Sequence, residues 1–86
     1  MKYLATIDEF EQQLKDAGDK TVVVDFTADW CPPCKDINPK FEAMEEEFPN
    51  VIFVKVDVAA NEEIGKKLDI KCMPTFQFYK NGKKIE

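Results

Sequence analysis

The stretch Thr21-Val22-Val23-Val24-Asp25-Phe26-Thr27-Ala28-Asp29-Trp30-Cys31-Pro32-Pro33-Cys34 decides how this chain folds and which chemistry it can host. Its first half is an almost unbroken run of β-branched and aromatic residues, the pattern of a strand covered on both faces. Its second half sets two cysteines three positions apart where that strand should give way to a helix. A helix N-terminus presents unpaired backbone N–H groups and the positive end of the helix dipole, and both favour a thiolate over a thiol. The thiolate is the form that attacks a disulfide. The spacing and the position together describe a reversible dithiol.

The two sulfurs should not be equivalent. Cys31 falls at the start of the helix, where it is expected to be the more exposed and the more easily ionised. Cys34 lies one turn in and should hold its proton longer. This order suits attack by Cys31 on a target disulfide and resolution of the mixed disulfide by Cys34. Pro32 and Pro33 fix two φ angles near −65° and remove two backbone donors from the first turn.

Asp25 stands among Val22, Val23, Val24 and Phe26, so its carboxyl should be desolvated and its pKa raised, which suits proton exchange near neutral pH. Lys55 lies in the next strand-like run and is a candidate charge partner for it. An equally ordinary reading has Lys55 reaching to solvent from a strand end. Met73-Pro74-Thr75 is an X-Pro step between a helix and a strand, and a cis bond there would leave a backbone edge able to pair with a peptide. Cys72 reads equally well as a small buried hydrophobe or as an exposed thiol able to form an intermolecular disulfide.

Composition narrows the field around these residues. The 86 residues allow one domain, 1–86, close to the lower size limit for a self-sufficient core. The net charge of −5, with acids and bases interleaved, provides no basic patch for nucleic acid. No apolar run reaches the length of a membrane span, and the first residues turn acidic too early for a signal peptide. The expectation is a cytosolic protein without membrane or nucleic-acid partners. Three cysteines do not close a disulfide framework, and the absence of histidine removes Ser-His-Asp and Cys-His mechanisms. A structural metal site needs about four ligands, so a metal reading requires two chains to share Cys31 and Cys34.

Along the chain the pattern is β-α-β-α-β-α-β-β. Tyr3-Leu4-Ala5 is a short first strand, and Thr6 and Glu9 form a capping box ahead of Ile7, Phe10, Leu14 and Ala17, with Gly18 as the stop. A second helix carries Ile37, Phe41, Met44 and Phe48 along one stripe, with Pro39 inside it. Val51 to Val58 is the next strand, followed by a short helix capped by Asn61 and carrying Ile64 and Leu68. Thr75 to Lys80, Asn81-Gly82 and Lys83 to Glu86 form a hairpin signal. The expected architecture is α/β: a mixed sheet, parallel where helices intervene and antiparallel at the closing hairpin, with helices on both faces.

Assembled in this order, the residues resemble the thioredoxin family, and its animal cytosolic form in particular. The likeness rests on Val24 to Lys35, on Pro39, on Val56-Asp57-Val58 and on Lys71 to Gly82. The resemblance implies a thioredoxin-like fold and a disulfide reductase, with Cys31 as nucleophile, Cys34 as resolving thiol and a redox-active Cys31–Cys34 disulfide. It also implies Asp25 as the buried carboxylate assisting Cys34 and Lys55 in the place of its lysine partner. Pro74 is the implied cis proline, and Trp30, Pro33, Met73 and Thr75 the implied surface for client proteins. No bound cofactor is implied, because electrons come from thioredoxin reductase, an NADPH-dependent flavoprotein partner.

Two departures stand out. Pro32 replaces the usual glycine, and the sequence stops in the last strand where the family continues into an amphipathic helix. The expectation is therefore a fold lacking the C-terminal helix, with an apolar strip that lowers stability or pairs two chains as a homodimer, there or through Cys72. Two rival readings stay open: a binding module of the same fold with impaired turnover, and a metal-bridged dimer through the cysteine pair.

Overall fold

The computed structural model describes residues 1–85. The elements run β1 (Lys2–Tyr3), α1 (Ile7–Asp16), β2 (Thr21–Thr27), α2 (Pro32–Glu47), β3 (Val51–Asp57), α3 (Glu62–Lys67), β4 (Thr75–Lys80) and β5 (Lys83–Lys84). The order matches the sequence expectation, with small shifts at the ends of elements; of the expected last strand, Lys83 to Glu86, Lys83–Lys84 pair as β5 and Glu86 lies outside the described residues. β1 covers Lys2–Tyr3, so Leu4 follows the strand instead of lying within it, and β3 ends one residue short of Val58.

One five-stranded sheet holds the order β1-β3-β2-β4-β5. β1 and β2 pair with β3 in parallel, while β4 runs antiparallel to both β2 and β5. β2 therefore lies at the centre, and six of its seven residues are buried. Its side chains alternate between faces. Val22, Val24 and Phe26 join Phe10, Val54, Val56 and Ile64 in the larger core, covered by α1 and α3. Val23 faces the other way and packs with Phe41 of α2 and Phe53 of β3. Asp25 shares that second face and sits in register with Lys55.

Local signals explain the ends of the elements. Thr6 accepts the Glu9 N–H at 3.1 Å, and the Glu9 carboxylate accepts the Ala5 N–H at 2.7 Å. The reciprocal arm of the capping box thus reaches one residue further back than the usual form. Ala17 caps the C-terminus of α1, and Gly18 takes the left-handed φ of +61° that a β-carbon makes costly. Asn81 and Gly82 have φ of 53° and 78°, the two positive values of a type I′ hairpin turn. Asn61 occupies the N-cap position of α3, but its side chain makes no cap; its amide donates instead to the Asp57 carbonyl at 3.0 Å.

An apolar groove runs between α2 and the sheet, lined by Ile37, Met44 and Phe48 of the helix and by Phe53, Phe76 and Phe78 of the strands. Met44, Phe48 and Phe78 are all exposed there. No helix is long and apolar enough to cross a membrane, among the described residues.

Candidate active site

The carboxyl end of β2 delivers Cys31 to the first position before α2. Cys31 is the N-cap residue of that helix, with Pro32 and Pro33 at the first two helical positions. Neither proline carries an N–H, so the first free donor of the helix belongs to Cys34. That donor points at Cys31 Sγ, 3.3 Å away. The cysteine sulfur thus fills the capping role usually taken by a serine or aspartate oxygen. An N–H donor and the dipole end both stabilise negative charge on that sulfur once the pair is reduced.

Cys31 and Cys34 are joined as a disulfide, with Cα atoms 5.2 Å apart, within the usual span for such a bond. Both sulfur-bearing residues are buried: Cys31 is 3% exposed and Cys34 0%. The difference in cover expected from sequence is therefore small in the oxidised form. The reason is tertiary, since Ala28 and Met73 pack over the pair. The Met73 carbonyl oxygen lies 3.6 Å from Cys31 Sγ, a position into which a reduced thiol can donate. The Met73–Pro74 peptide bond is cis.

Around the pair, Trp30 stands 66% exposed and Pro33 is exposed beside it. Met73, Pro74 and Thr75 are half-buried, and the Thr75 hydroxyl donates to the Cys72 carbonyl. Trp30 is thus a surface residue, although a tryptophan beside a strand would ordinarily be read as core. Cys72 is a free, exposed thiol, which removes the buried-hydrophobe reading. Among the described residues, no group of three or more Cys, Asp or Glu side chains converges as a metal-binding cluster.

Asp25 is fully buried, and burial pushes its carboxyl up to about 6; nearby Lys55 pulls it down and Glu42 raises it again. Lys55 is buried as well, at 1% exposure, so it does not reach to solvent. Its ammonium bonds to Glu42 at 3.0 Å, not to Asp25 as the register of the strands suggests. Neither Asp25 carboxylate oxygen has a hydrogen-bond partner within the described residues. Glu42 is the residue that sequence reading missed. Its spacing from Cys34 and Asn38 on α2 places it on the same face of the helix, but an acid in a charged stretch reads as ordinary surface.

A buried cysteine pair at a helix N-terminus, a carboxyl with a raised pKa on the strand before it and a cis-proline loop against the sulfurs define a thiol–disulfide oxidoreductase of αβ architecture. The comparisons agree. A family model described as Thioredoxin matches residues 2–86. The thioredoxin of Geodia cydonium is 55% identical over 85 residues, covering 99% of this chain and 80% of the relative, and that of Gallus gallus is 49% identical over 86 residues, covering 100% and 82%. The X-ray structure of Fasciola hepatica thioredoxin superposes with a TM-score of 0.97 at 45% identity, covering 100% of this chain and 83% of that one. The chain belongs to the thioredoxin family and is a protein-disulfide reductase by type.

Proposed function

We propose that this chain reduces disulfides in client proteins with electrons supplied by thioredoxin reductase, and that it does so in the cytoplasm as one domain spanning residues 1–86. The observation that carries the reading is the N-cap geometry, in which the Cys34 N–H meets Cys31 Sγ and the two residues bridge.

In the reduced protein the Cys31 thiolate attacks one sulfur of the client disulfide. The client S–S bond breaks, its other sulfur leaves as a thiolate, and a mixed disulfide forms on Cys31. Asp25 then takes the proton of Cys34, and the Cys34 thiolate attacks Cys31 Sγ. The mixed disulfide breaks and the second client thiolate departs. Two electrons have moved to the client, and the Cys31–Cys34 disulfide is complete. The reductase's dithiol returns two electrons to it by the same exchange. Trp30, Pro33, Met73, Pro74 and Thr75 form the surface on which the client lies, with the exposed ring of Trp30 its largest apolar element. Lys55 serves the site by setting the charge near Asp25.

An insulin-type reduction assay driven by dithiothreitol tests the core of this reading. Wild type accelerates reduction, and Cys31→Ser falls to the uncatalysed background while retaining its fold. A wild type as inert as Cys31→Ser, yet still holding a client, would make the chain a binding module. The exposed groove beside α2 supports pairing of two copies of this chain, with the free Cys72 thiol a second route under oxidising conditions.

A further inference from the structure

We propose that Glu42 is a positioning residue for the dithiol: its carboxylate holds the Lys55 ammonium away from Asp25 and so keeps Asp25 able to accept and return the Cys34 proton. This rests on the reading above that Asp25 serves Cys34.

One buried cation, Lys55, stands near two carboxylates and bonds only one of them. Lys55 and Asp25 are register partners on adjacent parallel strands, so their side chains leave the same face of the sheet side by side. Pairing them directly would be the shortest arrangement. The ammonium instead lies 3.0 Å from Glu42 Oε1 on α2. The ring of Tyr3, from β1, stands 5.7 Å from the same nitrogen and gives it a second reason to stay there. Asp25 is left without a hydrogen-bond partner in the described residues.

The other ionisable groups on the elements around Asp25 do not alter this balance. On β3, the Asp57 carboxylate accepts the Ala59 and Ala60 N–H groups, both at 3.0 Å, and is committed to the turn before α3. On β4 the register partner of Asp25 is Phe76, which carries no charge. On α2 the charged group that acts on Asp25 is Glu42, and Cys34 is held in the disulfide. On β1 the phenol of Tyr3 belongs to the ring already placed against Lys55.

The consequence concerns proton affinity. A carboxylate paired directly with a buried ammonium has its pKa lowered by about 1–3 units and becomes a poor acceptor. Desolvated and unpaired, Asp25 keeps a proton affinity closer to that of a thiol, which is what transfer from Cys34 requires. Glu42 also adds its own negative charge near the site, in the same direction. It touches neither sulfur. It acts through Lys55.

The test is a carboxyl-carbon NMR titration of Asp25 in the oxidised protein, beside the pH profile of dithiothreitol-driven client reduction. Glu42 is half-exposed, so Glu42→Gln is expected to fold. We expect the Asp25 midpoint to fall by about one pH unit in Glu42→Gln, with the acidic limb of the rate profile following it, and to stay near its wild-type value in Glu42→Asp. In a Lys55→Gln background, the same Glu42→Gln change should shift the midpoint by less than about half as much, because the residue through which it acts is gone. An unchanged or raised midpoint in Glu42→Gln overturns the proposal, as does an equally large shift without Lys55. A midpoint that falls while the rate profile stays fixed supports the Glu42–Lys55 linkage and overturns the role given to Asp25.

Discussion

Asp25 shows how one side chain links stability to chemistry. Its carboxyl is pushed up to about 6, against an ordinary value of 3.8. Between those two pH values the folded protein holds a proton that the unfolded chain has released. Stability is therefore greatest below pH 4 for this group and falls as pH rises through 6. The difference amounts to about 2–3 kcal/mol at pH 7. Asp25→Asn, which keeps the shape and removes the charge, is expected to raise stability at pH 7 by about that amount. Urea denaturation at pH 7 and pH 3.5 checks it: the gain should vanish at the lower pH, and a gain that persists there would refute the burial argument. The protein carries this cost at the residue its proposed mechanism uses as a proton acceptor, and the same substitution should slow client reduction.

Among the elements, α1 and α2 start by different means. α1 uses an oxygen cap, Thr6 Oγ1 on the Glu9 N–H, supported by Glu9 reaching back to Ala5. Thr6→Ala removes the first of these, and we expect it to cost about 1 kcal/mol with redox activity unchanged. Thermal denaturation beside the insulin assay reads both quantities, and a loss of activity at full stability would point to a role for α1 in the site. α2 starts on a sulfur. There the cap and the reactive group are one atom, so the element cannot be re-capped without altering the chemistry. Capping boxes, the Asn-Gly turn and the β-branched runs are local signals, and each was legible in the chain. Asn61 departs from the capping expectation because a nearby carbonyl competes for its amide, and no local pattern announces that competitor.

Over the whole molecule, the unequal covering of the two sheet faces is the dominant feature. Among the described residues, α1 and α3 close the face bearing Phe26 and Val54, whereas α2 alone covers the face bearing Val23 and Phe53. The groove beside α2 follows from that asymmetry, with Phe48 46% exposed at its edge. Apolar surface of this kind marks an interaction site or an aggregation liability. We expect this 86-residue chain to self-associate with rising concentration, and Phe48→Glu to hold it monomeric with its dithiol still active. Sedimentation velocity decides the matter: a concentration-independent monomer in the parent chain would count against pairing through the groove.

The sequence by itself determined the class of fold, the order of elements and the pair of sulfurs at a strand-to-helix junction. These follow from periodicity, turn residues and spacing, which are properties of neighbours along the chain. Only the tertiary structure decided that Cys31 lies under Ala28 and Met73, that Trp30 faces outward and that Lys55 chooses Glu42 over its register partner Asp25. Each of those outcomes is a contest between groups distant in the chain, settled by which polar atoms remain reachable once the sheet and α2 have closed and water has been excluded.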